Sequence, residues 1–309
     1  MEFTALINKM LIFVALMIIG YGLAKHGICG PDFTKTASWV VLNVFMVGTI
    51  LSSMITTGAE RDLADIAEII LLTFVMTAIG YLVAAVLIRF FHFDDEHASI
   101  FEILMATGNS MFIALPIAES IYGAYAVFIV SVSCIPFNIF LYSYGAWRIN
   151  GGGAGSAFRL RNIFSVPLIA TLSGLLIILL GIPVPAALRS LFSSLSGATM
   201  PMSMMIIGTS LGSVSLLDAF RKRKFALLSA IRLILIPVIT WLICRLLTDD
   251  TVLLMTCMII SAAPSAVIIS VLAIQYGRDG VFSSEGVQHS TVCSMVTIPL
   301  LIHLFSRLS

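Results

Sequence analysis

Thr107-Gly108-Asn109-Ser110, followed by Ala114-Leu115-Pro116, interrupts an apolar run (98–121) that is otherwise long enough to cross a bilayer. A second run, 251–275, is broken in a similar way by Ser261-Ala262-Ala263-Pro264-Ser265. Glycine and proline in mid-span free backbone N–H and C=O groups that hydrocarbon cannot satisfy. Such segments survive only where they are buried in protein or line a water-filled cavity. A half-helix that starts at a break presents unpaired N–H groups and the positive end of its dipole, which suits an anion. Gly and Pro also kink ordinary membrane helices, but a pair of breaks in corresponding spans favours a polar site.

The rest of the chain has the composition these breaks require. Of 309 residues 59% are hydrophobic and only 11% charged, with a mean hydropathy of +1.08. A water-soluble domain cannot cover its surface with so few polar groups. That excludes a soluble enzyme, a nucleic-acid binder and a disordered chain, and a net charge of +1 predicts no polyanion partner. Ten spans are expected, at roughly 5–24, 37–56, 65–89, 98–121, 125–147, 164–182, 190–212, 225–246, 251–275 and 281–305. The short joints leave no room for a catalytic domain, so no enzyme activity and no cofactor are expected. The first run lacks a basic leader and a cleavage site and reads as a retained span. Cys29, Cys134, Cys244, Cys257 and Cys293 form no CxxC pair and have no His at metal-ligand spacing, so no metal site is expected.

Sparse landmarks recur. Gly27-Ile28-Cys29-Gly30-Pro31 returns as Gly181-Ile182-Pro183-Val184-Pro185, and Gly48-Thr49-Ile50-Leu51 as Gly208-Thr209-Ser210-Leu211. Tyr122-Gly123-Ala124-Tyr125-Ala126-Val127-Phe128 returns as Tyr276-Gly277-Arg278-Asp279-Gly280-Val281-Phe282. The halves are then five-span repeats, 1–147 and 164–309, joined by a Gly-rich linker, 148–163. An odd number of spans forces the second half to insert upside down, the inverted repeat of secondary transporters. Eleven Lys and Arg, among them Lys25, Lys35, Arg148 and Arg221 to Lys224, fall on the joints that share a side with the linker, against five on the other. The positive-inside rule then places the linker in the cytoplasm and both termini outside the cell membrane.

The residues at the two breaks also resemble a known family. Asn109-Ser110-Met111-Phe112-Ile113-Ala114-Leu115-Pro116 with Tyr122-Gly123 is similar to the N-T-x-x-x-G-x-P … Y-G segment of the auxin efflux carriers. So are Ala262-Ala263-Pro264-Ser265-Ala266 with Tyr276-Gly277, Phe164-Ser165-Val166-Pro167 at the opening of the second half, and Pro201 to Gly208 in the seventh span. The short central linker is similar to that of the bacterial members. The resemblance implies an all-α polytopic membrane protein of two inverted five-helix repeats, with broken helices 4 and 9 crossing in a bundle that moves as an elevator. It implies small organic anions as substrates, such as malonate, malate, lactate or indole-acetate. Asn109 falls on the crossover Asn and Pro264 on the second crossover Pro, while Ser133 and Asn138 fall on fifth-span positions that face substrate in family members. Gly108 stands where plant carriers have Pro, and Ser265 where a longer polar residue is common, so substrate identity does not transfer.

Other polar residues have two readings each. Asn109 is a ligand or interhelical glue, and its place at a break favours the ligand role. Ser110, Ser133, Asn138 and Ser265 join it as candidates, although Ser also eases helix packing. Arg232, about two turns into span 8, either snorkels out to the interface or is a counter-charge to an anion. Glu285 and His289 stand at i, i+4 near the start of span 10 and could couple protons to transport. The contrasting readings are a sodium-coupled carrier of the bile-acid symporter type and a membrane receptor without transport. Expected partners are the anion and membrane lipids, with no nucleic acid and with room for a homodimer.

Overall fold

The computed structural model describes residues 3–58, 63–90, 93–151, 163–212 and 221–308. Every regular element among them is a helix. In chain order these are α1 (Phe3–Lys25), α2 (Pro31–Thr57), α3 (Leu63–Phe90), α4 (Asp95–Ala106), α5 (Ser110–Ile149), α6 (Val166–Leu179), α7 (Ala186–Gly212), α8 (Arg223–Cys244), α9 (Thr251–Ala262), α10 (Ile268–Gln275) and α11 (Gly280–Phe305). Seven, namely α1, α2, α3, α5, α7, α8 and α11, are long and apolar enough to cross a membrane. The chain is an all-α polytopic membrane protein. The Glu60-Arg61-Asp62 joint and linker residues 152–162 lie outside the described residues.

The helix starts follow from local chemistry. Asp94, Ser165, Asp250 and Asp279 each accept a backbone N–H of the following turn, capping α4, α6, α9 and α11. Pro31 opens α2 in the first turn, where a missing N–H costs nothing. Here the structure differs from the sequence boundary at 37, because helical turns continue past the apolar stretch into the polar Asp32–Lys35 segment. Likewise α6 ends at Leu179 rather than 182, since Gly181 turns the chain.

The recurring landmarks share backbone geometry. Gly27 and Gly181 have φ of 73° and 60°, and the following Ile28 and Ile182 N–H groups reach back to Leu23 and Ile177 carbonyls at 3.0 Å each. This is the same helix-ending turn in both places. Gly123 and Gly277 likewise have φ of 71° and 68°. At Gly123, with ψ −155°, α5 bends sharply, so the rod from Ser110 to Ile149 is two helical stretches meeting at one glycine.

The chain packs as two units. The first comprises Met1–Ile69, Met111–Cys134 and Ser165–Ser215. In it α1 lies along α7 at glycines: a Cβ on Gly20 would fall on the Met205 carbonyl, and one on Gly208 on the Met17 carbonyl. α2 meets α7 through Thr49 and Thr199, whose hydroxyls are 2.7 Å apart. Leu11, Ile12, Ile18 and Ile19 of α1 are exposed, as lipid-facing side chains are.

The second unit comprises Ile70–Ser110, Ile135–Phe164 and Leu216–Ser309. Its core gathers Phe101, Leu104, Phe225, Leu228, Ile269 and Phe282. Every residue of α4 from Ser99 to Ala106 is buried, so this half-helix is surrounded by protein on all sides.

Candidate functional site

The candidate site is where α4 and α9 stop. After Ala106, Thr107 turns to an extended conformation (φ −109°, ψ 115°), and after Ala262 so does Ala263 (φ −61°, ψ 142°). The two extended stretches run antiparallel and pair, with Gly108 opposite Ser265. Asn109 N–H donates to the Pro264 carbonyl at 2.7 Å, and Ala266 N–H donates to the Thr107 carbonyl at 3.0 Å. Backbone groups freed by the breaks therefore satisfy one another, as burial in a membrane requires. Helical structure resumes at Ser110 in α5 and at Ile268 in α10.

Side chains complete the crossing. Ser265 is fully buried; its hydroxyl donates to the Leu104 carbonyl at 2.8 Å, and its N–H donates to Ser290 Oγ of α11 at 3.1 Å. Thr107 shares a hydrogen bond of 3.0 Å with the Tyr81 hydroxyl of α3. Arg232 is 3% exposed. Its Nε donates to the Ala263 carbonyl at 3.0 Å and its Nη1 to the Ala106 carbonyl at 3.4 Å. The side chain turns inward to the crossing, and the snorkelling alternative is closed. It lies in a wide π-turn, Ile231–Leu235, just before Pro237, which cannot donate a helical N–H.

The predicted residues divide. Asn109, Ser110, Pro264, Ser265 and Arg232 come together at the crossing. Ser133 is buried in the part of α5 belonging to the first unit, and its hydroxyl donates to the Val130 carbonyl of its own helix at 2.6 Å. Asn138 is buried in the part of α5 belonging to the second. Glu285 accepts from Lys222, and His289 Nδ1 shares a 2.7 Å hydrogen bond with Ser229.

The sequence reading named Thr107 in the break without giving it a role, and it missed Tyr81, Ser290 and also Glu102. Glu102 is 2% exposed in α4; it accepts from Arg148 Nε at 2.8 Å and from the Tyr144 hydroxyl at 2.5 Å. An ionisable residue inside an apolar span was the signal that could have found it. In the first turn of α4, His97 lies between two helix caps, with Nδ1 2.7 Å from Asp94 and Nε2 3.3 Å from Asp279.

A polytopic helical membrane protein whose broken helices pair inside a buried polar crossing has the build of a secondary carrier. Residues 5–302 match the family described as membrane transport protein, which holds the auxin efflux carriers, and the chain belongs to that family. It is also 26% identical over 298 residues to a protein of Methanothermobacter thermautotrophicus described as an uncharacterized transporter. That alignment covers 93% of this chain and 94% of the other. The protein is a membrane transporter.

Proposed function

We propose that this transporter moves small organic carboxylate anions, of the malonate, malate, lactate or auxin-like kind, across the cytoplasmic membrane by elevator-type alternating access. The observation that carries the reading is the paired crossing at Gly108 and Ser265, from which α5 and α10 start with their N-termini. Two helix N-termini at one buried polar point favour a negative ligand. Asn109, Ser110, Pro264 and Ser265 form its binding surface in this proposal, and Ser133 and Asn138 of α5 are the further substrate-binding candidates. The ten-span layout as two inverted five-helix repeats, both termini outside, belongs to the same reading. The matching turns at Gly27 and Gly181, and at Gly123 and Gly277, support it.

Counterflow in proteoliposomes, with radiolabelled malonate, malate, lactate and indole-acetate, tests the substrate class. Saturable exchange of at least one is expected, and no flux of any carboxylate would reject the reading. A cysteine introduced at Gly152 should resist labelling from outside intact cells, and labelling there would reverse the orientation. Proton coupling through Glu285 and His289 is the remaining part of the proposal. Uptake driven by an imposed pH gradient should lose that response in His289→Gln, and an unaltered response would remove the pair from the mechanism.

A further inference from the structure

α4 and α9 end at the crossing with carbonyls that have no partner further along their own helix. Each such end carries about half a negative charge. Ala106 and Ala263, at the two ends, both accept from one guanidinium, that of Arg232. Among the described residues no carboxylate pairs with Arg232. A buried, unpaired cation would ordinarily be prohibitive. Here two helix ends of about −0.5 each balance one guanidinium of +1, so the burial is tolerable. The planar, pre-organised fork of arginine suits reaching carbonyls on two helices at once, and the compact ammonium of lysine on its flexible stem fixes both less rigidly. Gly108 leaves the space: a Cβ there would collide with Arg232 Nη2.

We propose that Arg232 is the positioning and selectivity residue of the crossing. It cancels the negative ends of α4 and α9 and leaves the positive ends of α5 and α10 unopposed, which sets the preference for an anion. This rests on the carrier reading above and adds to it the source of the charge selectivity. The guanidinium acts through the field of the helix ends, and contact with the substrate is not required.

The test uses purified full-length protein in liposomes. The ligand is whichever of malonate, malate, lactate or indole-acetate gives the strongest counterflow, and its uncharged amide serves as competitor. In Arg232→Gln the apparent affinity for the anion should fall at least about tenfold, while the amide competes as it does with wild type. A purely structural brace would weaken both ligands together, and that result, or an unchanged anion affinity, overturns the proposal. Arg232→Lys keeps the charge and covers the case in which the Gln variant does not fold. It should bind the anion within about threefold of wild type yet turn over more slowly, because a flexible ammonium holds both helix ends less rigidly than the planar fork. A tenfold loss of anion affinity in folded Arg232→Lys also overturns it. Absence of flux in wild type would instead reject the carrier reading itself, and this inference with it.

Discussion

The two packing units solve the problem of holding helices together in lipid by different means. In the first, backbone meets backbone at glycines: Gly20 against Met205 and Gly208 against Met17, with Gly212 a turn further on against Tyr21 and Ala24. Close approach and dispersion hold such an interface, as in other membrane helix pairs with small residues four apart. Polar help comes from single side-chain bonds such as Thr49 with Thr199, Ser53 to the Ala124 carbonyl and Ser196 to Glu119. The second unit instead buries charge and broken backbone: Arg232 over two helix ends, Glu102 with Arg148 and Tyr144, and Ser265 bonded to both Leu104 and Ser290. Removing volume or adding it should injure the first unit most. Removing a hydrogen-bonding group should injure the second.

The sharpest way to break this contrast is Gly208→Leu. A side chain there strikes the Met17 carbonyl and the Tyr21 nitrogen, which are backbone and cannot swing away. The cost should be at least about 3 kcal/mol, by the logic of overpacking. Gly22→Leu in the neighbouring helix, where nothing lies within 4 Å, should melt like wild type. Equal thermal stability of the two variants in detergent would show that α1 and α7 are not held by close approach.

Next in size is Glu102→Leu. It leaves Tyr144 without its acceptor and Arg148 without its carboxylate, at about 1–3 kcal/mol, since Arg148 is partly in solvent and recovers some hydration. A melting temperature equal to wild type would mean that the second unit does not depend on its buried ion pair. Smaller in stability but direct in function is Asn109→Ala. The proposed site predicts roughly tenfold weaker anion binding, about 1.4 kcal/mol, in a protein that still folds. Unchanged affinity would remove Asn109 from the site.

The positions of the breaks were legible because Gly and Pro inside an apolar run have few uses. Gly108 and Pro264 fall within the extended stretches that pair. The pairing itself was not legible. Which residue stands opposite Gly108 depends on how two segments more than 150 residues apart meet, and nothing local in the sequence encodes that register. Arg232 shows the same limit from another side. Its depth in the span permitted either an outward or an inward side chain, and the decision came from Ala106 and Ala263, carbonyls with no signature in sequence. The glycines of the first unit were partly visible, since Gly48 and Gly208 were noted as repeated landmarks, but their role as contact points needed the facing backbone.

The smallest effect expected lies outside the spans, at His97. Its ring bridges Asp94, the cap of α4, and Asp279, the cap of α11, and packs at a tilt of 59° against Phe282 with centroids 4.5 Å apart. Both ring nitrogens face carboxylates, an arrangement that favours the doubly protonated ring. Partial burial pulls the His97 pKa down, but the hydrogen bonds to Asp94 and Asp279 outweigh it and raise the pKa above 6.5, against a smaller opposing push from Lys224. Asp94 is held below its ordinary value chiefly by the His97 backbone N–H, and Asp279 chiefly by that of Phe282. Glu96, which accepts the Asp279 N–H at 2.8 Å, also faces this cluster. The raised histidine stabilises fully below its unfolded value near 6.5, and that stability is lost as pH rises through the folded value. The lowered aspartates stabilise above about 3.9, and theirs is lost as pH falls through their depressed values. The bridge is therefore strongest between about pH 4 and 6.5. Wild type should melt above His97→Gln at pH 6 by on the order of 1 °C once solvent screening is allowed for, and the gap should close by pH 9. A gap that is constant with pH, or that widens as pH rises, would show that His97 contributes through packing on Phe282 and not through its charge. The second unit would then use buried charge in its interior alone.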